Sequence, residues 1–117
     1  MSSDPPDEIR LKDHGRILEL HYGPQEVYAL TAEYLRVESP SAEVKGHGPG
    51  QEVTVPGKKN VRILRLAPVG HYALRIVFDD RHDTGLYTWG YLRELGRDEK
   101  TRWLAYLEKL ANEKLTR

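Results

Sequence analysis

The architecture of the chain turns on HYALRIVFDDRHDTGLYTW, residues 71–89. Its first half alternates, with Tyr72, Leu74, Ile76 and Phe78 on one side, and a period of two with one apolar face is the mark of a half-buried strand. Asp79 to Asp83 follow as a polar turn, and Thr84 to Trp89 return as a further strand. Upstream, Val61 to Ala67 mixes apolar residues with Arg62 and Arg65 and enters this hairpin through a Pro68-Val69-Gly70-His71 turn. The three runs predict a meander of consecutive antiparallel strands.

On the N-terminal side, Leu18, Leu20 and Tyr22 alternate with Glu19 and His21, Gly23-Pro24 breaks the run, and Val27 to Leu30 complete a hairpin. Thr31 is placed to cap a short helix over Ala32 to Arg36, which Ser39-Pro40 stops. Residues 1–12, with paired prolines and no periodicity, are expected to be a disordered lead-in. The Gly- and Pro-rich run from 41 to 60 reads as an irregular loop around a brief extended piece, Glu52 to Val55. Beyond the meander, Tyr91 to Leu95 form a short helix that Gly96 is expected to end in the left-handed conformation. Asp98 then caps a last helix carrying Trp103, Leu107, Leu110 and Ala111 on one face, a stripe suited to covering the sheet or pairing two protomers. The expectation is an α+β domain: a small, mostly antiparallel β-sheet, hairpin plus three-stranded meander, with short helices and a C-terminal amphipathic helix. Its divisions fall at 1–12, 13–96 and 97–117.

With 117 residues, 38% of them apolar and 31% charged, the chain has material for one folded unit and is too hydrophobic for a disordered one. Eighteen Lys and Arg against eighteen Asp and Glu leave no net field to attract phosphate backbones or anionic lipid, so neither a nucleic-acid nor a membrane partner is expected. No cysteine is present, which excludes disulfides, thiolate metal ligands and a cysteine nucleophile. The acidic, proline-broken start is unlike a signal peptide and no apolar run reaches membrane-spanning length, so the expected location is cytoplasmic.

His14, His21 and His71 lie in turns or on the polar face of a strand and read as solvated surface. No histidine pair has the H-E-x-x-H spacing, none is followed two positions later by Asp or Glu, and G-x-S-x-G and P-loop patterns are absent. Gly46-His47-Gly48-Pro49-Gly50 lacks the strand, helix and lysine of a phosphate cradle and reads as a sharp turn. Asp79, Asp80 and Asp83 around His82 offer oxygen ligands for a hard cation, but Asp is also the usual turn residue because its side chain bonds nearby amides. Lys58, Lys59, Arg62 and Arg65 form a basic cluster without interleaved aromatics, which reads as a solvated face.

The runs AEYLRVESPSAEVKGHGPGQ (32–51) and VRILRLAPVGHYALRIVFDDRHDTGLYTWGYLRELG (61–96) together resemble the gamma-butyrobetaine hydroxylase-like N-terminal domain, a domain of unknown function. The resemblance implies a small α+β unit that, in carnitine-pathway dioxygenases, precedes an iron- and 2-oxoglutarate-dependent catalytic domain. In bacteria the unit also stands alone or joins P-loop carriers of iron–sulfur clusters, and this chain is similar to the stand-alone form. The resemblance further implies a structural zinc site of three cysteines, C-x-C-x-x-C, and one histidine. Those positions fall here on Ser39, Ser41, Val44 and His82. Hydroxyls are poor zinc ligands at neutral pH and valine offers no donor, so the site is expected to be degenerate, with His82 its residual ligand. Hydrogen bonds from Ser39 and Ser41, with His82 as one partner, are expected to close the loop instead.

The function this implies is a non-catalytic accessory or interaction domain without a cofactor, binding a protein partner, with the C-terminal helix as the candidate contact for a homodimer. Tyr34, Arg36, Tyr87, Trp89 and Tyr91 are the candidate contact residues. The alternative is a metal-binding protein, or an oxygenase-related activity, holding zinc or iron through His47 and His82 with Glu43 or Asp80.

Overall fold

The computed structural model describes residues 4–41, 44 and 53–117. The meander is present: β4 (Ile63–Val69), β5 (Ala73–Phe78) and β6 (Leu86–Thr88) pair antiparallel in that order. The N-terminal hairpin is present too, as β2 (Ile17–His21) and β3 (Val27–Thr31), but it belongs to a second three-stranded sheet whose outer member is β1 (Glu8–Lys12). The lead-in expected over residues 1–12 is therefore corrected for its second half. Ile9 and Leu11 stand opposite Leu20 and Leu18 and alternate with charged Glu8, Arg10 and Lys12, so the strand pattern is real but only five residues long.

The apolar faces of both sheets meet in one core. Leu18, Leu20 and Leu30 come from the first sheet, Leu74, Ile76, Phe78 and Tyr87 from the second, and the helices add Leu35, Leu92 and Leu95. The turn Asp13–Gly15 between β1 and β2 locks the sheets together at one edge. Asp13, His14 and Gly15 are consecutive left-handed residues (φ 52°, 56° and 87°), and Gly15 lies so close to β4 that a Cβ would strike the Ile63 carbonyl.

Helices α1 (Ala32–Val37), α2 (Trp89–Arg97) and α3 (Glu99–Asn112) complete the described residues. Thr31 and Thr88 are strand-end residues whose hydroxyls accept from the amides of Tyr34 and Tyr91, capping α1 and α2. Gly96 does not end α2 in a left-handed cap. The helix runs through it to Arg97, and glycine is needed because the Tyr28 ring occupies the space of a Cβ.

The stripe of α3 is covered within the chain: Tyr106 and Leu110 are buried with Val37, and Trp103 packs edge-on against Tyr34 at 6.3 Å. Ala111, expected on that stripe, is exposed. The loop residue Val53 bonds the Val44 carbonyl at 2.7 Å and Val53–Val55 joins no ladder; Glu52, where the extended piece was expected to begin, lies outside the described residues. Buried Glu33 on α1 is held in a two-point pair by Arg117 at 2.8 and 3.1 Å, tying the end of the chain to the core.

Candidate functional site

The residues singled out around His82 converge where α1 ends. The turn after β5 is closed by the Phe78 amide on the His82 carbonyl at 3.0 Å, and this carries the imidazole inward beside the Phe78 ring. Ser39 Oγ lies 2.8 Å from His82 Nε2, with Ser39 fully buried and His82 only 5% exposed. Ser41 Oγ lies 2.8 Å from Thr84 Oγ1, and the Ser41 amide donates to Ser39 Oγ at 3.3 Å. Buried Val44 donates its amide to the Ser41 carbonyl at 3.0 Å. Gly85 makes the approach possible, since a Cβ there would meet Ser39 Oγ and the Tyr87 ring. Thr84 and Gly85 were not singled out in the sequence; the T-G pair after the histidine turn was their signal.

Asp80 anchors the same turn. Its carboxylate accepts from Arg36 Nε at 2.8 Å, Lys58 Nζ at 2.6 Å and the His82 amide at 3.1 Å. Burial alone would raise its pKa; the bonds from Lys58, the His82 amide and Arg36 outweigh that and hold it down at about 2. Elsewhere the two-point grip of Arg93, with a bond from Tyr28, holds Glu26 down at about 2. Both carboxyls have folded pKa values below their unfolded ones, so what they contribute is present above about pH 4 and is lost as pH falls through the folded values. The melting temperature should therefore be nearly level from pH 7 to about 5 and fall from there to about 2, and Asp80→Asn should flatten part of that slope. Circular dichroism melts across pH check this; equal acid slopes in the two proteins would contradict it.

The aromatic contact candidates have internal work. Tyr87 and Tyr91 donate their hydroxyls to the Leu35 and Glu38 carbonyls at 2.5 Å each, satisfying groups that the end of α1 leaves open. Tyr34 returns the arrangement by donating to the Leu95 carbonyl of α2 at 2.7 Å. Burial pushes the three phenols well above their ordinary range. Tyr34, Tyr87 and Trp89 are buried, Trp89 donates its indole N–H to the His71 carbonyl at 3.0 Å, and Arg36 holds Asp80. Tyr91 is half-buried. Tyr34, Tyr87 and Trp89 thus lie in the interior, not on the surface where contact residues were expected: these large aromatics supply core volume and hydroxyls that end helices.

A zinc ion does not fit this donor set. Two hydroxyls, one imidazole and an aliphatic side chain lack the thiolate charge that closes a tetrahedral structural site. Among the described residues no group of three or more His, Asp or Glu is placed to hold a metal. His47 and Glu43, the other members of the alternative metal set, and the Gly46–Gly50 turn lie outside the described residues. A serine beside an imidazole is also a nucleophile–base geometry, and here both members of the pair are buried. Of the basic cluster, Lys58 serves Asp80 while Lys59, Arg62 and Arg65 are exposed, and His14 and His71 are exposed as expected. His21 pairs with Glu19 at 2.7 Å. No described helix is long and apolar enough to cross a membrane.

The sequence model of one family, described as gamma-butyrobetaine hydroxylase-like, N-terminal, matches residues 9–93. No curated protein matches the chain. One solution NMR structure is 46% identical with a TM-score of 0.84, covering 97% of this chain and 90% of its own. A second NMR structure is 44% identical with a TM-score of 0.82, covering 100% and 88%. A crystal structure of a protein of unknown function of the DUF971 family from Acidithiobacillus ferrooxidans is 38% identical, with a TM-score of 0.64, covering 80% of this chain and 94% of its own.

Proposed function

Since the chain belongs to the gamma-butyrobetaine hydroxylase-like N-terminal family, we propose that it is a non-catalytic accessory domain that works through its surface, with the family's zinc site replaced by a buried polar node. The observation that carries this reading is the 2.8 Å contact between Ser39 Oγ and His82 Nε2 inside the core. It occupies the residual ligand in a bond that holds α1 against the β5 turn, the service a metal would otherwise supply. The Asp80 node beside it engages Arg36 and Lys58 in the same way, so the polar groups of this region hold the fold together. The domain acts in the cytoplasm, needs no cofactor and binds a protein partner, in keeping with its balanced charge and its lack of cysteine.

The test uses untagged protein. Elemental analysis should find zinc and iron far below one equivalent, EDTA should leave the melting temperature unchanged, and calorimetry should detect no binding of 2-oxoglutarate. One equivalent of metal whose removal unfolds the chain would replace this reading with a metal-centred one built on His82 and His47.

A further inference from the structure

The two sheets present very different outer faces. On the first, Arg10 pairs with Glu8, and Lys12 and His21 both reach Glu19, so the charges compensate one another. On the second, the register sets Arg65 beside Val77, Ala67 beside Arg75, and Arg75 beside Leu86, all on the side opposite Leu74, Ile76 and Phe78. Neither Arg65 nor Arg75 holds a carboxylate among the described residues, and the same is true of Arg62 and Arg81 at the end of the hairpin. By contrast Arg36, Arg93, Arg97, Arg102 and Arg117 all do. The carboxylate at that end, Asp79, turns back to accept the Arg62 amide at 3.1 Å. Bare apolar surface gathers on the same sheet: Leu64 is 64% exposed, Tyr72 in the β4–β5 turn 57% and Leu86 41%.

We propose that the outer face of β4-β5-β6 docks an acidic, amphipathic segment of another protein, whose carboxylates pair with Arg65 and Arg75 while its apolar side chains cover Ala67, Val77 and Leu86. The proposal deepens the accessory-domain reading and rests on it. Guanidinium groups select carboxylates through paired, planar hydrogen bonds, and the aliphatic rows between them add burial that a purely ionic partner would leave unused. A nucleic acid is disfavoured because the residues between the arginines are aliphatic, and exposed Tyr72 sits in the turn at the end of the sheet and offers no row of rings for successive bases. A second copy is disfavoured because a twofold contact through this face would set like charges against each other.

The experiment titrates the full-length, isotope-labelled chain with a short synthetic peptide of alternating Glu and Leu, followed by amide NMR shifts. The peptide should move the amides of 64–69, 73–77 and 86–88 in a saturable, salt-sensitive manner. Arg65→Glu with Arg75→Glu should weaken it about tenfold or more and admit the matching Lys and Leu peptide. Arg65→Glu alone, at an exposed position, should show part of the loss and guards against misfolding of the double variant. Shifts centred elsewhere, affinity unchanged in these variants, or a single-stranded oligonucleotide occupying the same amides would each overturn the proposal. Failure here leaves the accessory reading intact, because that reading is tested by metal content and 2-oxoglutarate.

Discussion

Gly15→Ala should destabilise the fold by about 3 kcal/mol or more, against a total stability of about 5–15 kcal/mol for a domain of this class. Two effects add. The residue sits at φ 87°, where a side chain costs about 1–2 kcal/mol. Its Cβ would also press on the Ile63 carbonyl, which is backbone within β4 and cannot rotate aside. Gly57→Ala separates the two, because Gly57 has a similar φ of 73° with open space around it and should lose only about 1 kcal/mol. Urea denaturation of both variants gives the comparison. Equal losses would mean that the two sheets do not meet rigidly at this turn.

His82→Ala should cost about 2–4 kcal/mol, lowering the melting temperature by roughly 10 °C or more. It empties volume beside Phe78 and leaves the buried Ser39 hydroxyl without the imidazole it now faces. Ser39→Ala, which removes the other half of the contact, should cost about 1–2 kcal/mol, and the double variant less than the sum because both act on one bond. Metal content should be the same in all four proteins. A melting temperature unmoved by His82→Ala would show that the node contributes nothing, and stability lost together with bound metal would identify His82 as a working ligand.

Much of this architecture was legible from local pattern. Leu74, Ile76 and Phe78 recur at every second position and are buried, although Tyr72, expected on the same side, is exposed in the β4–β5 turn; the meander and the capping role of Thr31 follow from local signals of this kind. Where local pattern misled, the deciding contact lay far along the chain. β1 is the nearer case: its five residues do alternate, but so short a run after paired prolines counts as a strand only once Ile9 and Leu11 meet Leu20 and Leu18. Gly96 answers to the ring of Tyr28, and the hydroxyls of Tyr87 and Tyr91 to carbonyls of a helix more than fifty positions earlier. The side to which an aromatic points is set by that long-range packing, so residue type alone could not separate a contact surface from a core. Residues 39 and 82 were brought together on paper by resemblance; forty-odd positions separate them, and no spacing rule would have paired the serine with the histidine.

The exchange of hydroxyls between α1 and α2 has a consequence for how the molecule comes apart. A helix of six residues has no independent stability in water, and this one has two of its trailing carbonyls closed by side chains from β6 and α2, while it closes one of theirs in return. Peeling either helix away strands acceptors on both, so partial fraying is penalised twice. The pair must open as a single clasp, and the chain is left without a cheap intermediate between shut and undone.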